Sequence, residues 1–263
     1  MKIDLRAMKS ILRKIDAIGT VETMFNFRKN VLHIRCVDPV HISLLDMNLK
    51  IKNCTEKDFD FGVKLNSLMT RIISLPLGNK NKRDNPENQL NVQILKKKGK
   101  ICGLKFQHPM LTFQKVSIDG LPSSIVNYPE GILELDAVAT INRYQLQLFL
   151  KIAGQETDHI SFIVERKPER FIAQFKSNEE ETVFTNLTYT LGGIEGLKLE
   201  FLNNKVQEIK SLFSVDYLIN IAKLINAPTI KIGLKSDAPI VVWWEEEDLL
   251  SGTYMVAPKI KSD

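Results

Sequence analysis

Residues 206–244 read VQEIKSLFSVDYLINIAKLINAPTIKIGLKSDAPIVVWW. Within this stretch the apolar spacing changes twice. Val206–Phe213 reads as one of the alternating or apolar strands. From Ser214 to Asn226 the apolar residues recur at helical spacing, and Ser214 is a good cap for a helix N-terminus. Ala227-Pro228 cannot continue a helix, because proline lacks the N–H and restricts the residue before it. Thr229–Leu234 and Ile240–Trp244 are then strands, and Thr253–Val256 is a third. One unit is therefore strand, helix, strands.

The same order recurs three times upstream. Strands Lys2–Leu5, Phe59–Leu65 and Leu133–Ile141 each precede a helical stretch, respectively Ala7–Ile18, Asn66–Leu75 and Asn142–Gly154. Asn66 and Asn142 are candidate N-caps, and Gly19, Pro76 and Gly154 are candidate stops. Strands Val31–Val37 and His41–Leu49 follow the first helix. Ile101–Phe106 and Leu111–Ser117 follow the second, and Ile160–Glu165 and Phe171–Phe175 the third. A fourfold internal repeat, two copies per half, predicts an α+β protein of two similar domains. Residues 118–132 hold Gly120, Pro122, Pro129 and Gly131 and read as a connecting loop between domains 1–117 and 133–263.

The 263 residues suffice for two cores without disulfides. Hydrophobic residues make up 44% and charged residues 25%, which excludes wholesale disorder. No apolar run reaches the ~20 residues of a membrane span, and the first ten residues lack a secretory signal's apolar core. Cys36, Cys54 and Cys102 are far apart and form no CxxC pair, which fits a reducing compartment and argues against structural zinc. Charge is segregated: residues 1–131 carry 22 Lys and Arg against 12 Asp and Glu, whereas residues 132–263 carry 14 against 19. The basic half suits nucleic acid, or the two halves attract one another across a head-to-tail contact. A solvated basic surface gives the same composition.

A helix on a sheet shows one face to solvent. By spacing that face carries Lys9, Arg13 and Lys14 on the first helix and Ser67, Thr70, Arg71 and Ser74 on the second. It carries Arg143, Gln147 and Lys151 on the third, and Asp216, Asn220 and Lys223 on the fourth. Diffuse cations of this kind neutralise phosphates without reading bases, and no recognition helix with concentrated Arg, Asn and Gln is present. Solvated helix faces are the plain alternative. No catalytic motif emerges. His33-x-x-Cys36 lies in a strand whose residues three apart point to opposite faces, so a Cys36 enzyme using His33 or His41 is a weak reading. Gly192, Gly193 and Gly196 lack the Lys-Ser/Thr ending of a phosphate loop. Glu179–Glu181 and Glu245–Asp248 are carboxylate runs with no further sign of a metal.

Ser236–Trp244 (SDAPIVVWW), Tyr254–Ile260 (YMVAPKI), Ser10–Ile15 (SILRKI) and Val37–Leu45 (VDPVHISLL) resemble segments of the proliferating cell nuclear antigen family, the sliding clamps of eukaryotes, archaea and some of their viruses. The spacing agrees over essentially the whole chain. The resemblance implies the DNA-clamp fold: two similar domains per chain, each of two βαβββ units, closing as a pseudo-sixfold trimeric ring. It implies a non-enzymatic processivity factor without cofactor or metal, encircling double-stranded DNA. It implies a homotrimer, or a heterotrimer with paralogous clamp subunits such as a checkpoint-type ring. Implied partners are a DNA polymerase, a clamp loader, a flap endonuclease and a DNA ligase, with no membrane. The compartment is then the nucleus of a eukaryote, the nucleoid-bearing cytoplasm of an archaeon or a viral replication compartment.

Arg13, Lys14, Arg71, Lys151 and Lys223 match basic positions of the family's DNA-facing helices, and helical spacing adds Lys9 and Arg143. Ser74 and Asp216 stand where the family commonly has a cation. The client-peptide groove matches Val37, His41, Ile42, Leu44, Leu121, Ile125, Tyr128, Pro129, Pro239, Met255, Ala257 and Pro258. The subunit contact matches an edge with Leu111, Phe113 and Lys115 and a second edge with Val183, Thr185 and Leu187.

Overall fold

The structure is a computed structural model that describes residues 1–54, 58–78, 85–116, 134–176, 181–185 and 197–259. The chain divides into two compact units. One comprises Met1–Pro39, Leu45–Asn127 and Asp248–Ser251, and the other Val40–Leu44, Tyr128–Glu247 and Gly252–Asp263.

The first unit runs β1 (Lys2–Asp4), α1 (Leu5–Ala17), β2 (Glu22–Arg28), β3 (Val31–Val37), β4 (Ser43–Lys50), β5 (Phe59–Lys64), α2 (Leu65–Ile73), β6 (Gln89–Lys97), β7 (Lys100–His108) and β8 (Leu111–Val116). One sheet has the order β1-β6-β7-β8, and a second run has the order β4-β3-β2-β5. Helix α1 starts because the Asp4 carboxylate accepts hydrogen bonds from the Arg6 and Ala7 N–H groups, which have no partner inside the helix. Met8, Ile11, Leu12 and Ile15 form a fully buried stripe, and Leu65, Leu68 and Ile72 do the same for α2. Each such side chain contributes about 1.5–3 kcal/mol by leaving water. Helix α1 ends where Gly19 adopts φ 73° and its N–H donates to Asp16 O.

The second unit runs β9 (Ala137–Asn142), α3 (Arg143–Glu156), β10 (His159–Arg166), β11 (Glu169–Lys176), β12 (Glu181–Thr185), β13 (Lys198–Phe201), β14 (Glu208–Ser214), α4 (Val215–Ala222), β15 (Thr229–Leu234), β16 (Ile240–Glu246) and β17 (Leu250–Val256). Its sheets have the orders β12-β11-β10-β14 and β13-β9-β15-β16-β17. An aromatic cluster joins α3 to the first of these. Phe149 lies 6.2 Å from Phe162 and 5.9 Å from Phe175, and Phe162 lies 5.6 Å from Phe171 and 6.2 Å from Phe213. Rings in tilted and offset contact gain beyond their buried area.

Among the described residues each helix is preceded by one strand and followed by three, and β13 is the one strand outside this fourfold pattern. Several local expectations are corrected. Helix α2 begins at Leu65 with Lys64 at the cap position, so Asn66 lies inside the helix. Helix α3 does not stop at Gly154 but continues to Glu156, because the glycine faces α4, where an added Cβ would lie 3.2 Å from Ile219 Cδ1. Close helix approach here outweighs the ~1 kcal/mol cost of a helical glycine. Strand β2 has no alternation to detect, since Thr23–Phe27 are all buried. Such a strand is covered on both faces.

Gly252 marks another close approach, since a Cβ there would overlap the buried indole of Trp244. Gly252→Ala is expected to destabilise the protein by about 1–3 kcal/mol, through overpacking, in denaturant unfolding.

Candidate functional site

The α1–α2 pair presents Arg13, Asp16, Asn66, Ser67, Thr70, Arg71 and Ser74 to solvent. Arg71 lies over the Phe113 ring, 5.2 Å from its centroid. Lys9 and Lys14, expected on this face, are buried at 6% and 0% exposure. The Lys9 ammonium turns along the helix flank to donate to Leu75 O just beyond α2, and Lys14 donates to Ser10 Oγ one turn back at 2.5 Å. Neither ammonium group therefore lies on the exposed face of α1, where spacing had placed it. Burial first, and the nearby Arg13 charge second, lower the Lys9 pKa. Lys115 reaches from β8 to Lys64 O and Ser67 Oγ at the start of α2, and its pKa is lowered by burial and by Arg71.

In the second unit Lys151 and Lys223 are exposed, the latter donating to Asn220 Oδ1 at 3.0 Å. Arg143 is half-buried. Its guanidinium donates to Ile225 O at 3.1 Å and Asn226 Oδ1 at 2.8 Å, and stacks 4.3 Å from the Tyr144 ring. It ties the start of α3 to the segment just beyond α4 instead of projecting freely. Gln147 likewise donates to Ala222 O. The exposed stripe of α3 is therefore Tyr144, Leu148 and Lys151, one position round from the expected one. The packing of α4 along the Arg143–Gln147 flank sets this rotation, and α3's own spacing carried no sign of which flank α4 would take. Asp216 is exposed on this face, as Asp16 is beside Arg13 on α1.

The carboxy-terminal strip lies in the second unit. Ala257 N donates to Ile42 O at 2.9 Å, and Lys259 N donates to Leu212 O at 2.8 Å, so the tail is fixed by backbone bonds on both sides. Val40, His41 and Ile42 are exposed beside it, and Pro239, Met255, Ala257 and Pro258 are half-buried. His41 has φ 60°, a left-handed turn conformation that throws its side chain outward. An open cleft of about 390 Å³ adjoins the strip, lined by Ser161, Lys210, Leu212, Asp237, Pro258 and Lys259. Lys259 Nζ donates to His159 Nε2 at 2.6 Å on the same edge. Leu44 is buried at 3% exposure and offers no docking surface, a correction to the expected groove. Val37 belongs to the first unit and is half-buried, its carbonyl accepting from Thr20 Oγ1. Leu121, Ile125, Tyr128 and Pro129 lie outside the described residues.

Strand β8 is the last strand of its sheet, as β12 is of its own. Each pairs on one side only among the described residues, β8 with β7 and β12 with β11. An edge of this kind is a ready template for a further strand. On β8 Leu111 is half-buried, whereas Phe113 packs inward on Phe106 with centroids 5.1 Å apart. On β12 Val183 is exposed, Thr185 contributes its backbone register, and Leu187 is outside the described residues.

Cys36 is fully buried, and burial pushes its thiol up to about 12, opposite to what a nucleophile needs. His33 and Arg35 point to the other face of β3, where both meet Asp46. His33 Nε2 lies 2.8 Å from Oδ1, and Arg35 Nε donates to Oδ2 at 2.6 Å. Burial raises the Asp46 pKa, but the hydrogen bonds and charges of His33 and Arg35 outweigh it and hold the carboxyl below its ordinary range. Among the described residues no group of three or more His, Cys, Asp or Glu side chains could hold a metal ion. Among them, too, no helix is long and apolar enough to cross a membrane.

No family model matches the chain. Individual proteins match it from end to end. A DNA polymerase sliding clamp of Methanocella arvoryzae is 26% identical over 266 residues, covering 95% of this chain and 94% of the relative. That of Methanococcoides burtonii is 27% identical over 268 residues, covering 99% and 98%. Among solved structures, A. fulgidus PCNA bound to the C-terminal region of FEN-1 matches with a TM-score of 0.78 at 19% identity, covering 100% of this chain and 98% of that one. The PCNA2–PCNA3 complex from Sulfolobus tokodaii matches with a TM-score of 0.75 at 19% identity, covering 98% and 99%. In sequence the chain is similar, end to end, to DNA polymerase sliding clamps. Its architecture is that of proliferating cell nuclear antigen.

A carboxylate held below its ordinary pKa stabilises the fold above the unfolded value near 4, and that contribution is lost as pH falls through the folded value. Asp46→Asn is expected to cost about 1.5–3 kcal/mol near neutral pH. The difference from the parent protein should shrink below about pH 4 in pH-dependent unfolding.

Proposed function

We propose that the chain is a DNA sliding clamp, a processivity factor without catalysis of its own that encircles duplex DNA and tethers replication and repair enzymes. The observation that carries this reading is the end-to-end likeness to archaeal clamps in sequence, over 99% of this chain and 98% of the relative in one case. The fold agrees over the same span. The free edges of β8 and β12 support closure of copies head to tail, with Leu111 and Lys115 on one edge and Val183 and Thr185 on the other. Residues 1–117 and 133–263 are then the two domains, and 118–132 connects them.

In this reading Arg13, Arg71, Lys151 and Lys223 meet the duplex, with Arg143 bracing α3 against α4. Contacts from mobile cations to phosphates are lost and remade at each step, so no register is favoured and the ring slides. Processivity comes from topological closure, which keeps a tethered polymerase at high effective concentration. Clients such as a polymerase, clamp loader, flap endonuclease or ligase dock a short motif on the strip of His41, Ile42, Pro239, Met255, Ala257 and Pro258. Exposed apolar atoms beside a fixed backbone suit an anchor side chain.

Light scattering is expected to give a molar mass three times that of the 30.0 kDa chain, alone or with a paralogous chain. A monomer that joins neither itself nor a paralogue defeats the proposal. Changing Arg13, Arg71, Lys151 and Lys223 together to Glu should leave the oligomer intact while primer extension by a cognate polymerase loses at least about tenfold of its stimulation. Undiminished stimulation would remove the helices from the DNA contact.

A further inference from the structure

Residues 89–116 carry six lysines and no aspartate or glutamate. Four of the six gather at one tip. Strands β6 and β7 are joined by Lys98-Gly99 alone, and Lys97 pairs directly with Lys100 across the hairpin. Lys96, Lys97, Lys98 and Lys100 are all exposed. The tip belongs to neither helix face and lies outside the carboxy-terminal strip.

Local folding does not favour lysine here. Lys97 and Lys100 set like charges opposite each other on neighbouring strands, which is destabilising. Lys98 has φ 51° and Gly99 φ 78°, the two positive values of a type I′ turn. Asn, Asp or Gly fits the first of these positions best, because glycine lacks the Cβ that clashes in the left-handed region and Asn and Asp offset it by local hydrogen bonds. The register shifts between Leu95 and Lys96, and such an irregularity bends the strand and re-aims the side chains beyond it. A cluster that opposes its own turn and its own cross-strand pairing gains from an anion brought to it.

The kind of anion follows from what surrounds the cluster. None of the exposed large hydrophobic residues among those described lies on β6, β7 or the turn between them. An acidic peptide with apolar anchors finds no seat. A polyanion whose charges are closely and regularly spaced needs none, and duplex DNA carries about one charge per 1.7 Å of axis. We infer that the Lys96–Lys100 hairpin is a second nucleic-acid contact, distinct from the helix faces, that grips phosphates without reading bases. This does not depend on the chain forming a ring.

The test uses the full chain with Lys96, Lys97, Lys98 and Lys100 replaced by Gln, and a Lys97→Gln/Lys100→Gln pair as a milder variant. Binding of a fluorescent duplex of about 30 base pairs is followed by anisotropy between ~50 and ~200 mM salt. The fourfold variant is expected to bind about tenfold more weakly at ~100 mM, with the slope of log affinity against log salt reduced by about 2–4. Its unfolding midpoint should be unchanged or higher, because the like-charge pair is gone. Affinity and slope equal to those of the parent chain overturn the inference. Lysine-dependent binding of a glutamate-rich peptide, with no lysine-dependent binding of the duplex, overturns it in favour of an acidic protein. Replacing Arg13, Arg71, Lys151 and Lys223 by Gln tests the helix faces separately. A loss in the hairpin variant alone upholds the inference even where the chain fails to trimerise or to stimulate a polymerase.

Discussion

Each helix surrenders a full flank to the strands beneath it, and the burial of that apolar seam is the constraint on which the other features rest. Met8, Ile11, Leu12 and Ile15 of α1 are wholly removed from water, as are Phe149 and Leu150 of α3. The helices are also packed in pairs, so each loses a second flank to its neighbour. What remains for solvent is a narrow ridge, and only the side chains on that ridge can meet a ligand. Lys9 and Lys14 show the effect most plainly. Their spacing marks them as surface cations, yet both are buried, the Lys9 ammonium on Leu75 O just beyond α2 and that of Lys14 on Ser10 Oγ of its own helix. A long aliphatic stem makes this tolerable, since its methylenes are buried while the charge finds an oxygen.

The same rule makes the two units unlike each other. On α1–α2 the ridge keeps Arg13, Asp16 and Arg71, with Lys9 buried beneath it. On α3–α4 the ridge carries Tyr144 and Leu148 beside Lys151, while Arg143 serves as a brace between helices. Four copies of one structural unit thus show different side chains to solvent.

Strand alternation governs the remaining chemistry. Cys36 and His33 share β3, but the pleat sends the thiol into the core and the imidazole to Asp46 on the outer face. The hydrogen-bonded network of His33, Arg35 and Asp46 therefore organises a sheet surface, and the thiol is left a small apolar filler. At the carboxy terminus, backbone bonds to Ile42 O and Leu212 O fix the tail where side-chain packing alone would leave it loose.

The strand–helix–strands repeat, the four helices and most of their strands were legible in the sequence, because amphipathic period and breaker residues are local properties. The family likeness was legible for the same reason in short runs such as SDAPIVVWW. Strand β2 was not, since a strand covered on both faces has no alternation, and Gly154 misled because the reason for the glycine lay on another helix. For the candidate site, the exposed positions of Arg13, Arg71, Lys151 and Lys223 agree with spacing alone. Sequence by itself determined which residues can lie on a helix and which face of it is apolar. Only the tertiary structure decided how wide the buried flank is, and so which cations reach solvent, because that depends on how a second helix leans against the first.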